Sequence, residues 1–191
     1  MRYFICVALV LFFNSCDHSQ QTESTADTNP PDKEKIEKLV KAVYFWHESE
    51  GSKNPDFTFK GNDSMYTALD KDAIKNRIIE LRSTKFFSEA FLLKYESLGN
   101  ELDKDLQNGS IKYYVGETPP FSSNANPWTN TQDVPENYWE HITIDGLKIN
   151  ENSATFFWTW GNNFQYEMEV KKEKGDWKIY SMQGFTQENF F

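Results

Sequence analysis

The chain has 191 residues, with 29 acidic against 20 basic side chains and a formal net charge of −9. That balance excludes a phosphate-backbone binder, which needs clustered Lys and Arg, and argues against electrostatic adhesion to anionic lipid. The length suits one domain behind a short leader, and the 16% aromatic content can fill a core and still line a pocket or an interface.

The first element is MRYFICVALVLFFNSC. Arg2 precedes an apolar run, Tyr3 to Phe13, that is too short for a permanent span of about 20 residues but has the length of a secretory h-region. Ser15-Cys16 resembles a bacterial lipobox, with Phe13 and Asn14 where the usual pattern has Leu and a small residue. Residues 1–15 are therefore read as a lipoprotein signal peptide and Cys16 as the lipidated residue. The competing reading is an ordinary signal peptide, or an uncleaved anchor, with an incidental cysteine. Cys6 would be discarded, which leaves Cys16 without a disulfide partner, so the fold rests on its core. The expected location is the bacterial cell envelope, on a periplasmic or outer-membrane face. Asp17 resembles the inner-membrane retention signal of some enteric bacteria, so the choice of membrane stays open. Residues 17–33 carry no aromatic or large aliphatic side chain and cannot offset their own ordering entropy. Residues 16–32 are thus read as a disordered tether, and 33–191 as one domain.

Pro30-Pro31-Asp32 signals a helix start, with Asp32 as the cap. Ile36, Leu39, Val40, Val43, Trp46 and His47 follow at helical spacing, ending near Gly51. Residues 52–64 read as a loop with a short extended piece at Phe57 to Phe59. Asp70 caps a second helix bearing Ala73, Ile74, Ile78 and Leu81. Ser83 or Thr84 opens a third, carrying Phe86, Phe87, Phe91, Leu92, Tyr95, Leu98 and Leu102. Gly109 stops it, and Gly99-Asn100 can divide it. Residues 116–137 form a long Pro- and Asn-rich loop of the kind that is usually functional or mobile.

Strands follow. Asp145-Gly146 predicts a bulge or turn between Ile142 and Ile149. Ala154 to Trp160 is apolar at nearly every position, as in a strand covered on both faces. Phe164, Tyr166, Met168 and Val170 alternate with polar residues in a half-buried strand, and Gly175-Asp176 turns into a last one. Helices followed by an antiparallel meander predict an α+β fold, with N-terminal helices packed on one face of a curved sheet.

The strand Ala154-Thr-Phe-Phe-Trp-Thr-Trp160 and the ending Gly175-Asp-Trp-Lys-Ile-Tyr180, behind a helical half, resemble the nuclear transport factor 2-like (cystatin-like) superfamily. Asn126-Pro127-Trp128 with Gln132-Asp133 is similar to envelope families of that fold known only as domains of unknown function. The resemblance covers residues 33–185 and implies a cone, with a curved sheet around a long helix and a cavity at the open end. Members include isomerases, dehydratases, hydrolases, immunity proteins and binding domains, so the fold alone does not assign an activity.

No residue carries a catalytic role over from the family. The catalytic candidate is His47, placed by the resemblance near the cone mouth and able to act as a base with a pKa near neutrality, with His141, Asp145 or another carboxylate at the mouth as further options. The competing reading is a half-exposed histidine at a helix end. Glu167 and Glu169 share a strand face with Gln165 and Lys171, which points them to solvent. His141 and Asp145 match no catalytic pattern. Asp103, Asp105, Asn108 and Gly109 fail calcium-loop spacing. The histidines are scattered and no free cysteine remains, so neither a metal nor another cofactor is expected. Trp46, His47, Phe156, Trp158, Trp160 and Tyr166 are the candidate ligand-lining residues. Phe157, Tyr180 and Met182, with Thr159, occupy the other strand phase and form a candidate interface, including for a homodimer, unless the tail from Phe185 to Phe191 covers it. The expected function is a lipid-anchored, noncatalytic module that binds a small apolar ligand or a protein. The alternatives are an isomerase- or hydrolase-like enzyme and an immunity-type or structural contact module. The expected partners are the membrane, through the lipid, and a ligand or protein, with no nucleic acid.

Overall fold

The computed structural model describes residues 30–121, 125–161 and 163–190. The expected signal peptide, Cys16 and the tether up to residue 29 lie outside the described residues. Among the described residues, no helix is long and apolar enough to cross a membrane.

The fold is α+β, with three long helices and two antiparallel sheets. Helix α1 spans Pro30–Ser49 and buries Ile36, Val40, Val43, Tyr44 and His47 at helical spacing. It starts two residues before Asp32, so Asp32 is not its cap. Its carboxylate instead accepts from Trp177 Nε1 and Lys172 Nζ, both at 3.0 Å, and pins the first turn to the sheet. Helix α2, Lys71–Thr84, is capped as expected by Asp70, which accepts from the amides of Asp72 and Ala73.

Helix α3, Glu89–Asn108, starts later than its apolar run suggests and is capped by Ser88. Phe86 and Phe87 are withheld from it by strand-like pairing. Ile179 N–H donates to the Phe86 carbonyl at 2.8 Å, and Ser88 N–H donates to that of Ile179 at 2.9 Å. The helix runs unbroken through Gly99, which is buried where a Cβ would meet the Phe57 ring at 2.9 Å. Gly109 ends it with a left-handed φ of 77°.

Strands β1 (Phe59–Gly61), β2 (Met65–Leu69) and β3 (Tyr113–Tyr114) make a small sheet; β1 falls at the end of the expected loop 52–64 with its extended piece at Phe57 to Phe59, and the sequence predicts no strand at β2 or β3. The main sheet is the expected meander of β4 (Thr143–Asn150), β5 (Ser153–Thr159), β6 (Tyr166–Glu173) and β7 (Asp176–Met182). Its register shifts between Asp145 and Lys148, where the sequence predicts a bulge. Strand β5 is covered on one face only. Ala154, Phe156 and Trp158 are buried, whereas Thr155 and Phe157 are exposed.

A second irregularity sets Tyr180 and Ser181 together opposite Glu169, between the pairs Met168 with Met182 and Val170 with Ile179. Side chains alternate along a strand, so one inserted residue flips everything after it. Met182 is therefore in the core, fully buried, and not on the outer face with Phe157.

Candidate functional site

The buried side of the main sheet meets α1 and the segment 125–131. Five aromatic side chains meet there, each with at most 1% exposure: Tyr44, Trp128, Tyr138, Trp158 and Tyr166. Tyr44 lies 4.5 Å from Trp158 and 5.8 Å from Tyr138, centroid to centroid. Trp158 in turn contacts Tyr166 at 5.7 Å and Phe164 at 5.0 Å. Phe156 is buried in the same layer. Of the residues expected to line a cavity, Phe156, Trp158 and Tyr166 lie in this layer, where Tyr44 and Tyr138 pack against Trp158.

The segment 125–131 closes this core. It lies within the stretch read as a loop, yet Pro127, Trp128 and Thr129 are buried. Tyr44 Oη donates to the Trp128 carbonyl and Tyr166 Oη to that of Pro127, each at 2.7 Å. Tyr166 Oη also accepts from the Gly184 amide at 2.8 Å. Burial pushes the hydroxyls of Tyr44 and Tyr166 well up, which keeps them protonated as donors. Phe185 turns inward against Phe91, Tyr95 and Trp128, so it does not cover the outer face of the sheet.

His47 is 5% exposed, not half exposed. Its ring lies 4.1 Å from Trp128, and its Nδ1 is 3.2 Å from Glu48. Glu48 also accepts from Tyr138 Oη at 2.8 Å. Burial holds the imidazole below its ordinary value despite nearby Asp56 and Glu48. Trp46 packs partly buried against Phe87 and Trp128 and under the Arg77 guanidinium. These contacts make His47 and Trp46 part of the packing between α1 and segment 125–131. His141 and Asp145 are both exposed and lie in the 3₁₀ turn before β4 and in β4 itself.

Beside this core, Arg77 is 3% exposed and anchors a polar junction that sequence patterning did not reveal. Its guanidinium donates to Asp56 Oδ1 through Nε at 3.2 Å and Nη2 at 3.0 Å, and through Nη1 to Glu80 and to the Gly51 carbonyl. Asp56 also accepts from Trp128 Nε1 at 2.7 Å and from Tyr95 Oη at 3.1 Å. Four segments are joined through one carboxylate. An Arg inside an amphipathic helix next to Ile78 was the available signal. Asp103 of the rejected calcium pattern is also structural, accepting from the Leu69 amide at 2.8 Å and pairing with Lys71. Among the described residues, no group of three or more His, Cys, Asp or Glu could hold a metal.

The outer sheet face is more polar than its sequence phase implies. Phe157 is 38% exposed, beside exposed Thr155 and Glu167. Tyr180 is covered by two ammonium groups, Lys171 at 3.3 Å and Lys94 at 4.1 Å from its ring. Glu167 points outward as expected, and Glu169 is half-buried on the same face and pairs with Lys171 at 3.6 Å.

A larger aromatic surface lies at the end of the sheet where β5 runs out and β6 begins. Phe45 is 56% exposed, with Trp139 at 6.3 Å. Tyr138 links Trp139 to Trp160, at 5.6 and 5.2 Å, and Trp160 stacks on Phe164 at 3.6 Å. Trp139, Trp160 and Phe164 are each half-buried. Between Lys112 and Lys148 the chain has no Lys or Arg, and its carboxylates there are Glu117, Asp133, Glu136, Glu140 and Asp145.

Comparison with protein-family models, curated proteins and solved structures finds no match to this chain.

Proposed function

We propose that this chain is a lipid-anchored module of the bacterial envelope that acts by protein contact, not catalysis, through the aromatic and acidic end of its main sheet. The observation that carries this reading is the filled interior. The space between sheet and α1 that would receive a small ligand is occupied by Tyr44, Tyr138, Trp158 and Tyr166. Phe45, Trp139, Trp160 and Phe164 remain partly open to solvent instead. Aromatic rings with Glu48 and Glu140 beside them fit a partner segment that carries Lys or Arg beside apolar side chains, since the cation can sit on a ring face while the carboxylates steer it in.

A cone of the nuclear transport factor 2-like kind is the architecture we infer. It is supported by the long α1 lying across a four-stranded antiparallel meander. The outer sheet face is the weaker candidate for contact or for a homodimer, because Met182 is internal and Tyr180 is covered by lysines. His47, stacked on Trp128, is assigned to packing.

Native mass spectrometry of the full chain purified from its membrane tests this reading. The expected species is the lipidated polypeptide without any stoichiometric small molecule. A bound small molecule retained by the folded protein and released on unfolding would overturn it in favour of ligand binding.

A further inference from the structure

The net negative charge conceals a local reversal at the other end of the molecule. Three separate elements bring lysines to one cleft. The first half of α1 supplies Lys35 and Lys38, the α2–α3 junction supplies Lys85, and the start of β7 supplies Lys178. Leu39, Phe86 and Trp177 line the same cleft, and Asp176 is the only carboxylate in its lining. Two other carboxylates near it are engaged, and Glu34 stands exposed on α1 one turn before Lys38. Asp32 is held by Trp177 and Lys172, and Glu37 pairs with Lys41. Among the described residues, none of the four lysines has a carboxylate within ion-pair distance, whereas Lys41, Lys53, Lys60, Lys71 and Lys75 each have one. Lys178 Nζ donates to the Lys85 backbone carbonyl, which ties the start of β7 to the α2–α3 junction.

Like charges that outnumber the carboxylates around them and make no ion pair repel one another, and an anionic surface relieves that repulsion. The position of the cleft selects the surface. Asp32 joins the start of α1 to Lys172 and Trp177 at the β6–β7 turn, so the chain from Cys16 enters the domain beside this cleft. Residues 17–29 can reach at most about 45 Å when extended. A lipid on Cys16 would hold the lysines within reach of headgroups, and an anionic leaflet attracts each Lys that comes within a Debye length of it.

We propose that the Lys35, Lys38, Lys85 and Lys178 cleft docks on anionic phospholipid of the membrane that carries the anchor. This rests on the lipid-anchor reading. Docking leaves the aromatic end, whose Phe45 lies about 10–15 Å further along α1 than Lys35 and Lys38, free to meet its partner.

The test is amine acetylation of the full lipidated chain on vesicles, with the modified lysines counted by mass spectrometry. Vesicles of phosphatidylcholine alone are compared with vesicles containing phosphatidylglycerol. On the anionic vesicles, acetylation of the four cleft lysines is expected to slow by about fivefold, and high salt is expected to abolish the effect. Lys104 and Lys112 should react alike on both. In Lys35→Glu/Lys38→Glu, the protection of Lys85 and Lys178 should disappear. Equal reactivity on both vesicles, with the protein bound to both, would overturn the proposal and leave the anchor intact. Failure to bind either vesicle would instead overturn the anchor and, with it, this proposal. Protection that dissolved inorganic phosphate or an oligonucleotide reproduces on phosphatidylcholine would overturn the choice of lipid. Protection already complete on phosphatidylcholine would assign the cleft to the chain's own acidic tether, which carries Asp17, Glu23 and Asp27.

Discussion

Arg77 shows how much one buried charge can organise. Its fork meets Asp56, Glu80 and the Gly51 carbonyl, and Asp56 holds Trp128 and Tyr95 in turn. A lysine carries the charge but cannot make the bidentate contact, so Arg77→Lys should lower unfolding free energy by about 2 kcal/mol in chemical denaturation. His47 makes a second residue-scale prediction. Burial holds its pKa below the ordinary 6.5, so an unfolded chain binds its proton at a higher pH than the folded one does. Where the unfolded state binds more protons, stability rises with pH. Stability should therefore fall as pH drops below 6.5, a window above that in which ordinary Asp and Glu side chains titrate. Thermal melts of His47→Gln should lack that slope. An unchanged slope would place its origin elsewhere.

At the scale of elements, the segment 125–131 is the piece whose loss should matter most. Gly184 sits against it so closely that an added Cβ would meet the Pro127 carbonyl at 1.9 Å. Gly184→Ala should force segment and tail apart and cost about 1–3 kcal/mol, read as a lowered midpoint with an unchanged denaturant slope. The elements whose signals are local were legible in the chain. The Asp70 cap, the Gly109 stop, the Asp145-Gly146 bulge and the meander all depend on neighbours in sequence. The rest depends on tertiary partners. Phe86 and Phe87 look helical, yet their backbone pairs with Ile179. Strands β1 to β3 have only two to five residues each, so they carry little periodicity. Trp128 is a buried anchor inside a polar loop, a position only its partners Tyr44 and Asp56 explain. The β7 bulge carries no glycine to announce it, and it moved Met182 from the expected interface to the core. Of the expected ligand-lining set, Phe156, Trp158 and Tyr166 do face inward, but the helix and segment 125–131 pack against them.

The whole molecule is polar in charge and in surface chemistry along α1. Lysines without ion pairs gather near the start of α1, and aromatic rings with Glu48 and Glu140 beside them gather near its other end. Net charge alone hid this, because the two ends partly cancel. The most direct measurement is site-specific crosslinking in cells producing the full chain, with a photoreactive phenylalanine analogue placed in turn at positions 45, 139 and 157. Contact through the aromatic end predicts a discrete protein adduct from 45 and 139 and none from 157. Adducts from 157 alone, or none from 45 and 139, would contradict it.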